Sequence, residues 1–294
     1  MPGTFIHKER TRPDWLKIKL DTSGDFMRTR QLMRSQGLNT VCEEARCPNI
    51  YECWGRQTAT IMILGDTCTR SCEFCSIKTG KPNGVDWKEP LRTAEAVKTM
   101  ELRHVVITSV DRDDLKDDYG AQIWTETIEA IRNLASECTI EVLTPDFRYY
   151  APAYEKVFES RPDIFSHNIE CVQRISRTVR PQSTWQRSLS LLKASVDWGL
   201  ETKTGMMVGL GENDSEVLDT MKEMADLGIT IFNIGQYLQP TQNHIEVQRY
   251  VHPEIFDKYK RKGLEMGFQV VESGPLVRSS YHADEQAKRL STFN

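Results

Sequence analysis

The stretch that decides the fold is residues 60–75, which read TIMILGDTCTRSCEFC. Its first five residues, Thr60–Leu64, are mostly apolar or β-branched and predict a short buried strand. A polar loop with three cysteines follows directly. In parallel α/β sheets, sites form in the loops at the carboxyl ends of the strands. The stretch therefore predicts a strand whose following loop carries chemistry.

Five further apolar runs recur along the chain, with helical patterns between them. The pattern is clear in residues 121–135 and 213–227. In the second, Asn213 and Glu216 resemble a capping box and Gly228 supplies the stop. Strands alternating with helices imply right-handed crossovers and a parallel sheet. The predicted strands are Thr60–Leu64, Val105–Ser109, Ile140–Leu143, Ile164–His167, Thr202–Val208 and Thr230–Ile234.

These strands lie within residues 58–240 and predict one α/β domain. Residues 1–57 and 241–294 then form an N-terminal and a C-terminal extension. Because the strands run parallel, the loops that follow them meet on one rim. Besides the first cysteine loop, the polar loops on that rim are Thr108–Asp111, His167–Glu170 and Gly209–Glu212.

Bulk composition excludes several classes of protein. The net charge is −4, so we expect no general attraction to nucleic acid. The sequence contains no run of eighteen apolar residues, so it predicts no membrane span. Residues 1–20 contain charged side chains of both signs and lack the apolar segment of a secretory signal. We therefore expect a cytoplasmic protein.

Cysteine usage is the strongest functional signal. The chain has eight cysteines, and six of them fall within the 34 residues from Cys42 to Cys75. Structural disulfides are rare in a reducing compartment, and inert thiols would scatter as Cys138 and Cys171 do. The clustering favours metal chemistry.

The first triplet, Cys68, Cys72 and Cys75, has the spacing C-x3-C-x2-C. Thiolates bind iron–sulfur clusters, normally four to a cubane. Three cysteines in one compact loop leave one iron free to take a substrate or cofactor, as an open position does in catalytic zinc sites. A structural zinc site, the alternative, more usually pairs two C-x2-C knuckles.

The second triplet, Cys42, Cys47 and Cys53, has the less specific spacing C-x4-C-x5-C. Taken alone it is also compatible with zinc or with a free redox thiol. Its position just upstream of the first triplet favours a second cluster.

The motifs together resemble a known family. The loop with Phe74 before its last cysteine is similar to the signature of radical S-adenosylmethionine enzymes. The second triplet, with the RSSY sequence of Arg278–Tyr281, resembles the lipoyl synthase branch of that family. The resemblance extends to GDTCTR at 65–70, VITSVDRDD at 106–114, LTPDF at 143–147 and QYLQP at 236–240.

The resemblance implies a fold and a set of cofactors. The fold is an incomplete (β/α)6 barrel, TIM-like but partial, flanked by N- and C-terminal extensions. One 4Fe–4S cluster on Cys68, Cys72 and Cys75 would bind S-adenosylmethionine and yield a 5′-deoxyadenosyl radical. A second 4Fe–4S cluster, on Cys42, Cys47 and Cys53, would be consumed as the sulfur source.

The resemblance also implies a reaction and partners. Two sulfur atoms would be inserted at carbons six and eight of an octanoyl chain that is amide-linked to a lipoyl carrier protein. The carriers would be the glycine cleavage H protein and the lipoyl domains of 2-oxoacid dehydrogenases. A ferredoxin or flavodoxin would donate electrons, and iron–sulfur assembly proteins would rebuild the cluster.

The fourth ligand of the second cluster is implied to be a serine of the Arg278–Tyr281 motif. A serine oxygen is a harder and poorer partner for iron than a thiolate, so this iron would be the point where the cubane comes apart. Side chains of neighbouring residues in an extended chain point in opposite directions, so only one serine can serve. Ser279 and Ser280 both remain candidates.

Further residues are candidates for binding S-adenosylmethionine. Phe74 could stack near the adenine or pack in the core. Asn168 and Glu170 could bind the ribose or the ammonium group, and Glu170 needs a partner because a buried unpaired carboxylate is costly. The remaining candidates are Thr108, Ser109, Asp111, Arg180 and Lys203.

Other classes of function remain as alternatives. Another radical enzyme with an auxiliary cluster, such as a methylthiotransferase or a maturase, would place its auxiliary cysteines differently or carry an added binding module. A ferredoxin-like electron carrier needs neither this length nor two three-cysteine sites. A zinc-binding interaction protein is the third alternative.

Overall fold

Parallel strand pairing organises the chain, as the six apolar runs predict. The structure is a computed structural model, and it describes residues 12–17, 24–44, 47, 49–55 and 60–290. All six predicted strands are present, and their ends differ from the prediction by no more than two residues. The strands described are β1 (Asn39–Thr40), β2 (Thr60–Ile63), β3 (Thr67–Cys68), β4 (Lys78–Thr79), β5 (His104–Ser109), β6 (Thr139–Leu143), β7 (Ile164–Ser166), β8 (Thr202–Val208), β9 (Ile231–Gln236) and β10 (Val270–Gly274).

Helices fill the connections between the strands. Both helical patterns noted in the sequence are helices, and Asn213 and Glu216 form the expected capping box. Two 3-10 turns, Asp14–Leu16 and Phe147–Tyr149, accompany them. The α-helices described are α1 (Gly24–Ser35), α2 (Val41–Glu44), α3 (Ile50–Gly55), α4 (Glu89–Thr99), α5 (Ala121–Leu134), α6 (Ala151–Glu159), α7 (Gln173–Val179), α8 (Trp185–Asp197), α9 (Asp214–Asp226), α10 (Pro253–Met266) and α11 (Ala283–Leu290).

In the described part of the chain, eight strands form one sheet in the order β1-β2-β5-β6-β7-β8-β9-β10. Strands β2 to β10 of this sheet run parallel, and only β1 is antiparallel to its neighbour β2. Within the described residues β1 and β10 are the two ends of the sheet, so the barrel is partial, as the resemblance implied. The sequence did not single out β10, whose VVESG segment is short and half polar.

The inner face of the sheet carries two glycines and an asparagine where β8 and β9 pair. In-register residues of parallel strands share a face, and Gly205 pairs with Asn233 while Met207 pairs with Gly235. An added Cβ on Gly235 would lie 2.1 Å from the carbonyl oxygen of Val277. The segment after β10 therefore passes directly against the inner face of β9.

Helix α11 covers the amino-terminal ends of the strands. Ala287 packs against Ile164, Ile231 and Val270, the first residues of β7, β9 and β10. Gln286, on the same helix, is fully buried. The C-terminal extension thus runs along the inner face and then closes one end of the partial barrel.

None of the helices in the described part of the chain is long and apolar enough to cross a membrane.

Candidate active site

The loop with the first cysteine triplet begins at a sharp change of direction after β2. Leu64 and Gly65 both have positive φ, 66° and 88°. The loop is then closed by the pairing of β3 with β4, and the amide of Cys75 donates to the carbonyl of Cys72. These contacts hold the three thiols together at the carboxyl end of β2.

Arg70 ties this loop to the loops after β5 and β6. It is 3% exposed and forms ion pairs with Asp111 at 3.0 Å, Asp113 at 2.8 Å and Asp146 at 2.7 Å. Burial raises the pKa of Asp111 to about 6, against the opposing effect of Arg70. One cation therefore organises three carboxylates beside Cys68, whose Sγ lies 4.0 Å from Asp111 Oδ2.

The three thiols are poor nucleophiles but suitable cluster ligands. All three cysteines are free and partly buried. Burial raises the pKa of Cys75 to about 11 and also raises the pKa values of Cys68 and Cys72, to which Asp111 contributes further. Burial thus disfavours the free thiolates, whereas binding to the iron of a cluster favours them. The donor set therefore fits an iron–sulfur cluster.

The described cysteines are not arranged around a single metal ion. Within the described ranges, no three Cys, His, Asp or Glu side chains converge tightly enough to hold one metal ion. A cubane holds its thiolates at different irons, so they lie further apart than thiolates on one ion. The described residues therefore lack a mononuclear site, which leaves a cubane compatible with the triplet.

Glu170 and Arg180 lie beside the first triplet. Both influence Cys72 electrostatically: Glu170 raises the pKa of this thiol and Arg180 opposes that effect. Burial raises the pKa of Glu170 itself, while Arg180 and Asn168 act to lower it. Arg180 is 4% exposed, donates from Nη1 to the carbonyl of Asn168 at 3.1 Å, and leaves its Nε without a partner. These three residues form a polar wall around the space next to Cys72.

Other predicted rim residues have structural contacts. Thr108 Oγ1 donates to the carbonyl of Leu143 at 2.8 Å, and Ser109 Oγ donates to the carbonyl of Val110 at 2.8 Å. Phe74 packs against a buried cluster that contains Tyr237. Thr108 and Ser109 are the last two residues of β5 and Asp111 comes just after it, so the structure brings all three to the expected rim.

Lys203 lies elsewhere. As the second residue of β8, it is near the amino end of its strand and is fully buried. Its Nζ lies 2.9 Å from Glu141 Oε1 and 3.1 Å from Oε2. Burial acts to raise the pKa of Glu141, but Lys203 and His104 outweigh it and hold that pKa below its usual value. The structure thus places Lys203 inside the barrel and not on the rim.

The second cysteine triplet lies at the other end of β2. Since β1 is antiparallel to β2 and Thr40 pairs with Ile61, the chain reaches Cys42 beside the amino end of β2. The backbone of Thr60 hydrogen-bonds the Cys42 thiol, although burial raises the pKa of Cys42 to about 12. The two triplets are therefore separated by the length of a four-residue strand, about 13 Å.

The second triplet is also folded around local backbone bonds. The amide of Cys47 donates to the carbonyl of Cys42 at 3.0 Å, and the amide of Cys53 donates to that of Asn49 at 2.9 Å. Burial raises the pKa of Cys47, and nearby Arg278 opposes that effect. Three buried or partly buried thiols near a guanidinium again fit an iron–sulfur cluster, whose irons are held mainly by thiolates.

The Arg278–Tyr281 motif lies between the second triplet and the inner face. Asn49 Nδ2 donates to the carbonyl of Leu276 at 2.7 Å, which joins the N-terminal extension to this segment. Ser279 Oγ accepts from Asn168 Nδ2 at 2.6 Å, whereas Ser280 Oγ accepts from Thr60 Oγ1 at 2.7 Å. The two hydroxyls have different partners, as expected for neighbouring residues.

Several residues of the site were not proposed from sequence. Arg70, Asp113 and Asp146 lie in the GDTCTR, VITSVDRDD and LTPDF motifs, but the sequence gives no sign that they form ion pairs with one another. Glu141 and Asn233 lie within strands, where a lone polar residue gives little signal of its partner. Each finds its partner through the packing of distant strands.

Family models match most of the chain. The model of the radical SAM superfamily matches residues 62–224, which include the first triplet. The model of the N-terminal domain of lipoyl synthase of the radical SAM family matches residues 5–47, which include Cys42 and Cys47.

Curated relatives agree over nearly the whole length. Lipoyl synthase of Rubrobacter xylanophilus is 53% identical over 94% of this chain and 87% of the relative. Lipoyl synthase of Oceanobacillus iheyensis is 51% identical over 95% and 90%. Mitochondrial lipoyl synthase of Nematostella vectensis is 48% identical over 93% and 94%.

Solved structures support the fold. Methylornithine synthase is similar with a TM-score of 0.55 at 12% identity, covering 83% of this chain and 82% of that chain. Streptococcus suis SuiB bound to S-adenosylmethionine is similar with a TM-score of 0.59 at 11% identity, covering 85% and 61%. With the family matches and the curated relatives, these findings show that the chain belongs to the lipoyl synthase family of the radical S-adenosylmethionine superfamily.

Proposed function

We propose that this sulfur-inserting radical enzyme adds sulfur at carbons six and eight of an octanoyl group held by a lipoyl carrier protein. The observation that carries the proposal is the position of the two cysteine triplets, one at each end of β2. Between them lies the inner face of the partial barrel. An acyl chain that enters this space can meet radical chemistry and a sulfur donor without leaving the protein.

Cys68, Cys72 and Cys75 hold the 4Fe–4S cluster that binds S-adenosylmethionine. With one electron from an external reductant, S-adenosylmethionine bound there would supply a carbon radical able to remove hydrogen from an unactivated methylene, a step that acid–base groups cannot perform. The protein holds the cofactor beside the acyl chain and excludes water.

The polar wall next to Cys72 supplies the contacts for the methionine and ribose parts of the cofactor. Arg180 has an unpaired buried Nε and can hold the carboxylate, while Glu170 can accept from the ammonium or from ribose hydroxyls. Asp111 is held beside Cys68 by Arg70. Phe74, Thr108 and Ser109 are further contacts proposed for the cofactor beside this wall, whereas Lys203 is paired with Glu141 inside the barrel.

Cys42, Cys47 and Cys53 hold the auxiliary 4Fe–4S cluster, the sulfur source. Ser279 is the fourth ligand, because its hydroxyl is held at the inner face by an amide donor, which favours an oxyanion there. Ser280 is engaged by Thr60 on β2 and serves to position the turn.

The parts of the chain have separate tasks in this proposal. Residues 1–57 carry the auxiliary cysteines, 58–240 form the radical barrel, and 241–294 carry the serine. The eight free cysteines support a reducing compartment such as the cytoplasm. Lipoyl carriers in general are the substrates; the H protein, 2-oxoacid dehydrogenase domains, a ferredoxin or flavodoxin donor and cluster-assembly proteins are the specific partners proposed.

Two sets of alanine variants test the proposal after anaerobic reconstitution. Wild type should bind about eight irons per chain, as expected for two cubanes. Replacing Cys68, Cys72 and Cys75 should leave about four irons and abolish deoxyadenosine formation. Replacing Cys42, Cys47 and Cys53 should also leave about four irons, but should keep deoxyadenosine formation and abolish the dithiol product.

The matched control replaces Cys138 and Cys171, which lie outside both triplets, and should keep all three measurements at the wild-type level. Deoxyadenosine with no sulfur insertion by wild type on an octanoyl-lysine peptide would assign the chain to another reaction of the superfamily, such as methylthiolation.

A further inference from the structure

The serine segment is held by two asparagines from different strands. Asn233, in the middle of β9, donates from Nδ2 to the carbonyl of Ser279 at 2.8 Å and to that of Arg278 at 3.3 Å. Asn168, in the loop after β7, donates to the Ser279 hydroxyl at 2.6 Å. One asparagine therefore fixes the backbone and the other fixes the side chain of the same residue.

The surroundings of the two asparagines are built to receive this segment. Asn233 is 3% exposed. A Cβ on Gly205 would lie 3.1 Å from Asn168 Oδ1 and 3.4 Å from Asn233 Cβ, so glycine leaves room for both side chains. The Oδ1 atoms of both asparagines are buried without a hydrogen-bond partner. Both amides thus present their Nδ2 donors to the Ser279 segment, one to its hydroxyl and one to its carbonyl.

Asn168 also connects the two halves of the site. Its carbonyl accepts from Arg180, and its side chain lies close enough to Glu170 to influence it. Arg180 and Glu170 belong to the polar wall beside the first triplet, and Ser279 belongs to the segment beside the second. One residue thus contacts both the polar wall and the serine segment.

We propose that Asn168 and Asn233 are positioning residues that hold the Ser279 oxygen, through these hydrogen bonds, in the orientation needed to bind the auxiliary cluster. The inference rests on the proposed function and on Ser279 as the ligand. A serine that held iron would do so as an alkoxide: an O–Fe bond would take the place of its O–H bond, and the proton would pass to the solvent. An amide N–H directed at the resulting anionic oxygen stabilises it, whereas a carboxylate there repels it.

The test uses the isosteric change Asn168→Asp, with Asn233→Ala as a second variant. Reconstituted full-length protein without S-adenosylmethionine is exposed to an iron chelator, and iron and sulfide per chain are followed over time. Loss of the outer-shell partner of a metal ligand typically weakens the site about 10- to 100-fold. We expect both variants to fall from about eight to about four irons at least tenfold faster than wild type, as loss of one cubane requires.

Two controls separate positioning from folding. Ser166→Ala removes a fully buried hydroxyl that has no partner, two residues before Asn168, and should keep wild-type iron retention. The metal-free Asn168→Asp protein should unfold at the same temperature as metal-free wild type. Wild-type iron retention in both asparagine variants overturns the inference, and so does faster loss that matches a fall in the unfolding temperature of the metal-free protein.

This outcome is distinguishable from failure of the proposed function. If wild type holds two clusters but inserts no sulfur, the proposed reaction is wrong, while the iron-retention comparison still decides the role of the asparagines. If wild type makes the dithiol product and the variants retain iron, only the positioning inference fails.

Discussion

At the scale of single residues, the site depends on buried charges that hold one another in place. Arg70 faces three carboxylates, and Lys203 faces Glu141 on the inner face. Removing one partner of such a pair leaves an uncompensated charge, although replacing both can be neutral. The stability of the site therefore depends on each buried charge keeping its partner, and each pair can be tested by single and double substitution.

The Lys203 pair gives a direct test of this view. Lys203→Met should destabilise the protein by about 3–5 kcal/mol, because Glu141 is left charged and buried. The double variant Lys203→Met, Glu141→Leu should recover most of that loss in urea denaturation. Recovery together with normal deoxyadenosine formation would assign Lys203 a structural role; recovery of stability without activity would return it to the cofactor site.

The buried imidazole of His167 makes the stability of the protein depend on pH. Burial lowers the pKa of His167 to about 4, and its Nδ1 and Nε2 lie 2.9 Å and 3.0 Å from Thr144 O and Ser188 Oγ. The unfolded chain takes up the proton near pH 6.5 while the folded chain does not, so stability falls as the pH drops from 6.5 towards 4. The loss due to this residue should reach about 2 kcal/mol by pH 5.

The measurement is urea denaturation at pH 7 and pH 5 of wild type and His167→Gln. Glutamine has no titrating group, so its fall in stability between the two pH values should be smaller by the amount due to His167. An equal fall in both proteins would contradict the assignment of a neutral buried histidine.

At the scale of elements, the C-terminal segment is what makes the two ends of β2 into one site. It enters along β9, reaches Thr60 on β2 through Ser280, and ends in α11 under the strands. Its close contact with β9 is possible only because Gly235 has no side chain. If this segment were displaced, Ser279 would leave the site while the barrel stayed folded.

Gly235→Ala tests this contact. The new Cβ would lie 2.1 Å from the Val277 carbonyl oxygen, so the backbone of the segment must move. We expect loss of the auxiliary cluster and of the dithiol product, with deoxyadenosine formation retained. Gly84→Ala is the matched control, since its Cβ would meet no atom within 4 Å. Normal product formation by Gly235→Ala would show that the segment is not needed in this position.

At the scale of the whole molecule, the sequence predicted the central strands of the partial barrel but not β10 and α11, which complete it. The runs that form β2 and β5 to β9 are rich in apolar and β-branched residues and are largely buried on both faces, so local pattern identifies them. By contrast, β10 and α11 are stabilised by packing against distant strands, which leaves little local signal. The spacing of the six cysteines is visible in the sequence itself. By contrast, 111 residues separate Asn168 from Ser279 and 76 separate Arg70 from Asp146, so only folding makes these residues partners.

The central claim is that the two ends of the barrel carry two clusters with different tasks, and one measurement tests it most directly. Protein is reconstituted with isotopically labelled sulfide, supplied with S-adenosylmethionine, a reductant and an octanoyl-lysine peptide, and its product is analysed by mass spectrometry after a single turnover. The account predicts that both inserted sulfur atoms carry the label and that the Ser279→Cys variant forms deoxyadenosine but little product. Unlabelled sulfur in the product, or full activity of that variant, would contradict it.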